Sequence, residues 1–138
     1  MSAMRPTKIV LVEDSLDLCQ TWKELLSLDG HEVKIYLDGR SLLQDPAAIH
    51  WCDVVITDYY LPDVNGVELV ARIRGLRPQL PVILLSGMRD GSVIELVRKM
   101  PHAAYLPKPA DVDELEATLD RLVVTGTRVH GEAGTHPA

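Results

Sequence analysis

A chain of 138 residues, 46% of them hydrophobic, is long enough to bury a full core and has the size of one ordinary domain. Its formal charge of −6 and pI near 5.3 argue against direct nucleic-acid binding, which calls for a basic stripe, and against attraction to anionic lipid. No N-terminal stretch resembles a signal peptide and no apolar run approaches the roughly 18 residues of a membrane span, so a cytoplasmic protein is expected.

Residues 1–7 precede the first periodic segment and read as an extension. "KIVLV" (8–12) is a short, β-branched apolar run suited to a strand buried on both faces of a parallel sheet. Leu16, Cys19, Trp22, Leu25 and Leu26 then share one helical face, and Gly30 stands where a C′ glycine ends a helix. A second strand pattern, "VKIYL" (33–37), leads into "RSLLQDPAAI" (40–49), a helical segment that Pro46 must shorten or break. "DVVIT" (53–57) is the third strand, and "GVELVARIRGL" (66–76) a helix closed by a nearby proline. "PVILLS" (81–86), "SVIELVRKM" (92–100) and "AAYLP" (103–107) continue the alternation. The last helix starts at Asp111, whose side chain can cap it with Glu114 three residues on. From 125 to 138, "TGTRVHGEAGTHPA" lacks apolar periodicity and reads as a disordered tail or linker stub, which leaves 8–124 as the domain.

Five strands alternating with five helices predict an α/β domain: a five-stranded parallel sheet between two helical layers, since right-handed crossovers put helices on both faces. For this length the flavodoxin-like strand order 2-1-3-4-5 is expected, with the ligand crevice at the carboxyl ends of strands 1 and 3. Cys19 and Cys52 show no metal-ligand spacing and read as partly buried thiols, and the five histidines are scattered without pairing.

The crevice gives the charged residues their meaning. Glu13 and Asp14 end the first strand and Asp58 ends the third, so three carboxylates meet at one rim. Two carboxylates about 5 Å apart repel by roughly 3 kcal/mol at an effective dielectric near 20. A divalent cation relieves that repulsion, and an oxygen-only donor set suits Mg²⁺. Lys108, just after the last strand, completes the neutralisation, and Ser86, ending the fourth, adds a hydroxyl. Read alone, Glu13-Asp14 is equally an acidic helix start, and Ser86-Gly87 a turn. Together, a carboxylate nucleophile, a metal, a hydroxyl and a lysine are what phosphoryl transfer requires.

"VLVEDS", "DVVITDYYLPDVNGVEL", "PVILLSG" and "YLPKP" together resemble the response-regulator receiver domain, from about Lys8 to Val124. The resemblance implies that Glu13, Asp14, Asp58 and the backbone carbonyl of Tyr60 bind Mg²⁺, and that Asp58 accepts a phosphoryl group from a phosphohistidine. It further implies that Ser86 and Lys108 contact phosphoryl oxygens and that the Lys108-Pro109 bond is cis. Ser86 and Tyr105 become the switch that reshapes the face of the fourth helix, last strand and last helix. The partners implied are a histidine kinase or histidine phosphotransfer protein upstream and a protein target downstream, with the chain a monomer or weak dimer.

Three departures stand out. Serine replaces the frequent threonine at 86, "KMPHAAY" (99–105) lacks the usual glycine-alanine turn, and Tyr60 and Met88 are bulky where polar residues often help a water attack. The rival reading is an aspartate-nucleophile phosphohydrolase of haloacid dehalogenase type, which carries a second Asp where Tyr60 stands. A flavin or nucleotide domain calls for a Gly-rich loop where "EDSLD" would repel phosphate.

Overall fold

The computed structural model describes residues 6–87 and 91–135, those from 124 onward as backbone alone. The first five residues of the expected extension and Met88 lie outside the described residues, as does the end of the chain from 136. Five strands, β1 (Lys8–Val12), β2 (Glu32–Tyr36), β3 (Val54–Asp58), β4 (Val82–Ser86) and β5 (Ala103–Pro107), form one sheet in the order β2-β1-β3-β4-β5. Every pairing is parallel, as the alternating helical and apolar segments require.

Among the described residues the helices are α1 (Leu16–Ser27), α2 (Gly39–Leu43), α3 (Pro46–Trp51), α4 (Gly66–Ile73), α5 (Gly91–Arg98) and α6 (Val112–Thr135). There are six rather than the expected five because Pro46 divides the second helical segment. Pro46 takes the first turn of α3, where its missing N–H costs nothing, and the Asp45 carboxylate caps that turn by accepting the Ala48 N–H at 3.3 Å. The second difference is at the end of the chain. α6 runs past Val124 to Thr135, where composition suggested an irregular tail. Three glycines lower helix propensity there by about 1 kcal/mol each, but no proline interrupts the segment before Pro137.

Period-two alternation sorts the strand side chains into two cores. Val10, Val12, Val55, Val82 and Leu84 pack with Leu42, Ile49, Leu69, Ile73, Val93 and Val97 on the side of α2 to α5. Ile9, Leu11, Val54, Ile56, Ile83 and Leu85 pack with Cys19, Trp22, Leu26, Leu115 and Leu119 on the side of α1 and α6. β3 and β4 are buried along their whole length, which explains their unbroken apolar runs. Both thiols are fully sequestered rather than partly so; desolvation pushes Cys19 and Cys52 each up to about 11. On the surface, the Lys34 ammonium lies 4.4 Å from the ring centroid of Trp51, with that of Lys8 5.9 Å away.

The junctions obey local chemistry. α1 is left through a Schellman turn, with Gly30 N–H to Ser27 O at 2.9 Å, His31 N–H to Leu26 O at 3.3 Å and Gly30 at φ +87°. Asp111 starts α6 by accepting the Asp113 N–H at 3.0 Å. At the turn where glycine was missed, His102 itself adopts φ +54°, and its carbonyl accepts the Val82 N–H and Arg74 Nη2.

Candidate functional site

Strand ends place the site. β1 delivers Glu13 and Asp14 to the carboxyl edge of the sheet, and β3, its neighbour, delivers Asp58. Carboxylate oxygens of all three lie within 4.8 Å of one another. Glu13 and Asp58 are buried, at 4% and 7% exposure, while Asp14 is exposed. Ser15, which caps α1 through Leu18 N–H, turns its own N–H to Glu13 Oε2 at 3.0 Å and so fixes that side chain inward.

Lys108 closes the constellation from the far side. Its Nζ lies 3.0 Å from both Glu13 Oε1 and Asp58 Oδ2, linking residues 95 and 50 positions apart. Its N–H donates to Ser86 O at 2.7 Å, which ties it to the end of β4, and the Lys108-Pro109 bond is cis, as expected. Burial works against the lysine charge, but the hydrogen bonds and charges of Asp58 and Glu13 outweigh it and hold its pKa above the ordinary value. Burial lifts the Glu13 carboxyl above its usual value, against the Ser15 N–H and Lys108, which favour its charged form.

Ser86 is fully buried as the last residue of β4, one position past the partner of Asp58 in the β3–β4 register. Tyr105 sits opposite Leu84 on β5, half-buried against the core on the α5 side. Tyr60 is 52% exposed, its ring edge-on to Tyr59, and forms an isolated antiparallel bridge with Asn65. The structure thus brings Glu13, Asp14, Asp58 and Lys108 together and puts Ser86 on the same edge.

Gly66 escaped the sequence reading as a site residue. A Cβ there would stand 2.8 Å from Asp58 O and 2.4 Å from Leu84 Cδ2, so α4 can start against β3 only because the side chain is absent. In the sequence Gly66 reads only as the first residue of the helical segment 66–76. Asn65 caps α4, accepting the Glu68 N–H at 2.8 Å.

Three clustered carboxylates, only two of them paired with the one ammonium, leave an excess of negative charge in a half-buried pocket of hard oxygen donors, which fits Mg²⁺. A second group, Asp29, His31 and Glu116, lies at the opposite edge of the sheet. There His31 Nδ1 accepts the Thr7 N–H, so the ring proton sits on Nε2 and points at Glu116 Oε1, 3.0 Å away. Nε2 could serve a metal only if its proton moved to Nδ1, which already accepts the Thr7 N–H, so this group suits a cation less well than the first.

Comparison with known proteins agrees with this geometry. The chain is 32% identical over 126 residues to the DNA-binding transcriptional regulator NtrC of Azospirillum brasilense, covering 90% of this chain and 26% of that one. It is 33% identical over 120 residues to the response regulator MprA of Mycolicibacterium vanbaalenii, covering 86% and 51%. The chain thus spans between about a quarter and a half of these relatives. A response regulator receiver domain protein from Clostridium thermocellum superposes with a TM-score of 0.82 at 27% identity, covering 89% of this chain and 98% of that one. The haloacid dehalogenase alternative finds no support among these proteins. Residues 9–120 match the family described as the response regulator receiver domain, and it is to that family of two-component phosphoacceptors that the chain belongs.

Proposed function

We propose that Asp58 is the residue phosphorylated, with a phosphohistidine as donor. Asp58 is one of two buried carboxylates of the crevice and the one that ends β3, and it engages Lys108 through Oδ2, which leaves Oδ1 to meet the incoming phosphorus. The O–P bond forms as the N–P bond of the phosphohistidine breaks, and the histidine nitrogen keeps the electron pair. Lys108 and the Ser86 hydroxyl receive the phosphoryl oxygens. Glu13, Asp14, Asp58 and the Tyr60 carbonyl would hold Mg²⁺, which supplies charge neutralisation for the transferring group. The gathering of three carboxylates, two of them paired with Lys108, is the observation that carries this reading.

The partner is a histidine kinase or histidine phosphotransfer protein in the cytoplasm. A largely apolar cleft of about 510 Å³ lies beside Lys108, lined by Leu18, Trp22, Leu25, Pro109 and Val112, where a donor helix could pack. On the output side, Ser86 drawn towards the phosphate frees space for Tyr105 to turn inward, changing the α5–β5–α6 face that a downstream protein target reads. The chain has no catalytic task beyond its own phosphorylation and slow dephosphorylation. Because Tyr60 and Met88 are ill suited to orient a water, the acyl phosphate is long-lived.

Mass spectrometry of the chain treated with acetyl phosphate and Mg²⁺ tests the assignment. One phosphoryl adduct on Asp58, absent from Asp58→Ala, is expected; an unmodified Asp58 overturns it. Decay in Mg²⁺ buffer tests the lifetime: a half-life of seconds, unchanged by Tyr60→Asn or Met88→Glu, is incompatible with it.

A further inference from the structure

We infer that Asp63 is a positioning residue for the cation site: it fastens the loop after Asp58 to the start of α2, and so fixes the Tyr60 carbonyl. The inference rests on the cation assignment made above.

Asp63 stands five positions after Asp58, within the loop of residues 59–65. Its carboxylate accepts three backbone N–H groups: Val64 at 2.9 Å, within the loop, and Gly39 at 3.0 Å and Arg40 at 2.7 Å on α2. Those N–H groups hold the Asp63 carboxyl below its ordinary value, although desolvation pulls the other way. The other side of the junction is shaped to receive it. A Cβ on Gly39 would lie 2.7 Å from Val64 Cγ2 and 3.4 Å from Leu69 Cδ1, so the loop seats on a position where a side chain is missing. Carboxylate and glycine are independent features of one contact.

The ends of the loop are already tied. Tyr59 N–H donates to Leu85 O at 2.7 Å, Gly66 N–H to Tyr59 O at 2.6 Å, and Tyr60 bridges Asn65. Asp63 adds bonds from the apex to a separate element. Mg²⁺ demands ligands at about 2.0–2.1 Å in near-octahedral arrangement, so a carbonyl ligand that drifts by a few tenths of an ångström is a poor one. Residues that orient a ligand without touching the metal commonly change affinity tenfold or more. The same junction links the acceptor loop to β2, whose Tyr36 O accepts the Glu13 N–H at 3.0 Å.

Calorimetric Mg²⁺ titration of the unphosphorylated full chain tests this, with hydrogen exchange at Gly39 and Arg40 as a second readout. Asp63→Ala is expected to weaken Mg²⁺ by about tenfold and to speed exchange at both amides. Asp63→Asn, which keeps one acceptor oxygen, is expected to fall between. Gly39→Ala disturbs the junction with the Asp63 charge intact, and it is expected to weaken Mg²⁺ as well. A merely less stable fold raises the apparent Kd only as the inverse of the folded fraction, so a variant that urea unfolding shows to be more than nine-tenths folded keeps its midpoint unless the ligand geometry has changed. Wild-type uptake with an unchanged Asp63→Ala isotherm overturns this inference alone, as does a loss that vanishes in 1 M salt, where distant charge is screened. No uptake by the wild type overturns the cation assignment together with it.

Discussion

Lys108→Met is the change whose consequence follows most directly from the site. In the metal-free protein it leaves Glu13 and Asp58, both buried, without the cation that each meets at 3.0 Å. Removing one partner of a buried ion pair costs about 3–5 kcal/mol when the remaining charge has no escape. Here one escape is protonation. Neutralising a carboxyl of ordinary pKa at pH 7 costs about 3.5 kcal/mol, and Glu13, already raised by desolvation, costs less. The expected loss is therefore about 2–3 kcal/mol at pH 7. A group whose folded pKa is raised contributes stability below its unfolded pKa and loses it as pH rises through the folded value, so the Lys108→Met penalty shrinks towards pH 5. Mg²⁺ provides the other escape. Urea unfolding at pH 7 and pH 5, with and without millimolar Mg²⁺, measures all four corners. An equal loss in every condition would show that Lys108 contributes packing rather than charge, and would refute the reasoning.

Three further outcomes follow from particular contacts. Glu116 is raised mainly by burial and also by Asp29, against His31, so its contribution is present below about pH 4.5 and is lost as pH rises through its folded value; Glu116→Gln is expected to flatten the wild type's decline in thermal stability between pH 5 and pH 8, and parallel declines would contradict this. Gly66→Ala forces a methyl against Asp58 O and Leu84, with an expected loss of about 1–3 kcal/mol and slower labelling of Asp58; unchanged unfolding would show that α4 can shift freely. His102→Gly relieves a left-handed residue, worth about 1–2 kcal/mol, against the greater freedom of an unfolded glycine, about 0.5–1 kcal/mol. A net gain of roughly 0.5–1 kcal/mol in urea unfolding is expected, and a loss would mean that the His102 side chain contributes more than its backbone strain costs.

The sheet was legible because its residues speak locally. β-branched runs such as Val54-Val55-Ile56 name a buried parallel strand, and a carboxylate closing such a run marks the crevice. Acids from β1 and β3 and the lysine after β5 then fall together by topology alone. The features that escaped are those in which backbone meets a distant element. Asp63 reaches N–H groups 23 and 24 residues upstream, and His31 meets Glu116 across 85 residues, with no periodicity to betray either. The extent of α6 was misjudged for a different reason: glycines and threonines weaken a helix without ending it, and composition cannot tell the two apart.

The two tryptophans occupy separate regions, and this gives the protein a built-in optical probe. Trp22 lines the cleft beside Lys108, whereas Trp51 lies under two lysine ammonium groups elsewhere on the surface. Trp51→Phe leaves a single indole whose emission is set by whatever fills the cleft. Binding in the cleft can then be followed by stopped-flow fluorescence in unlabelled protein.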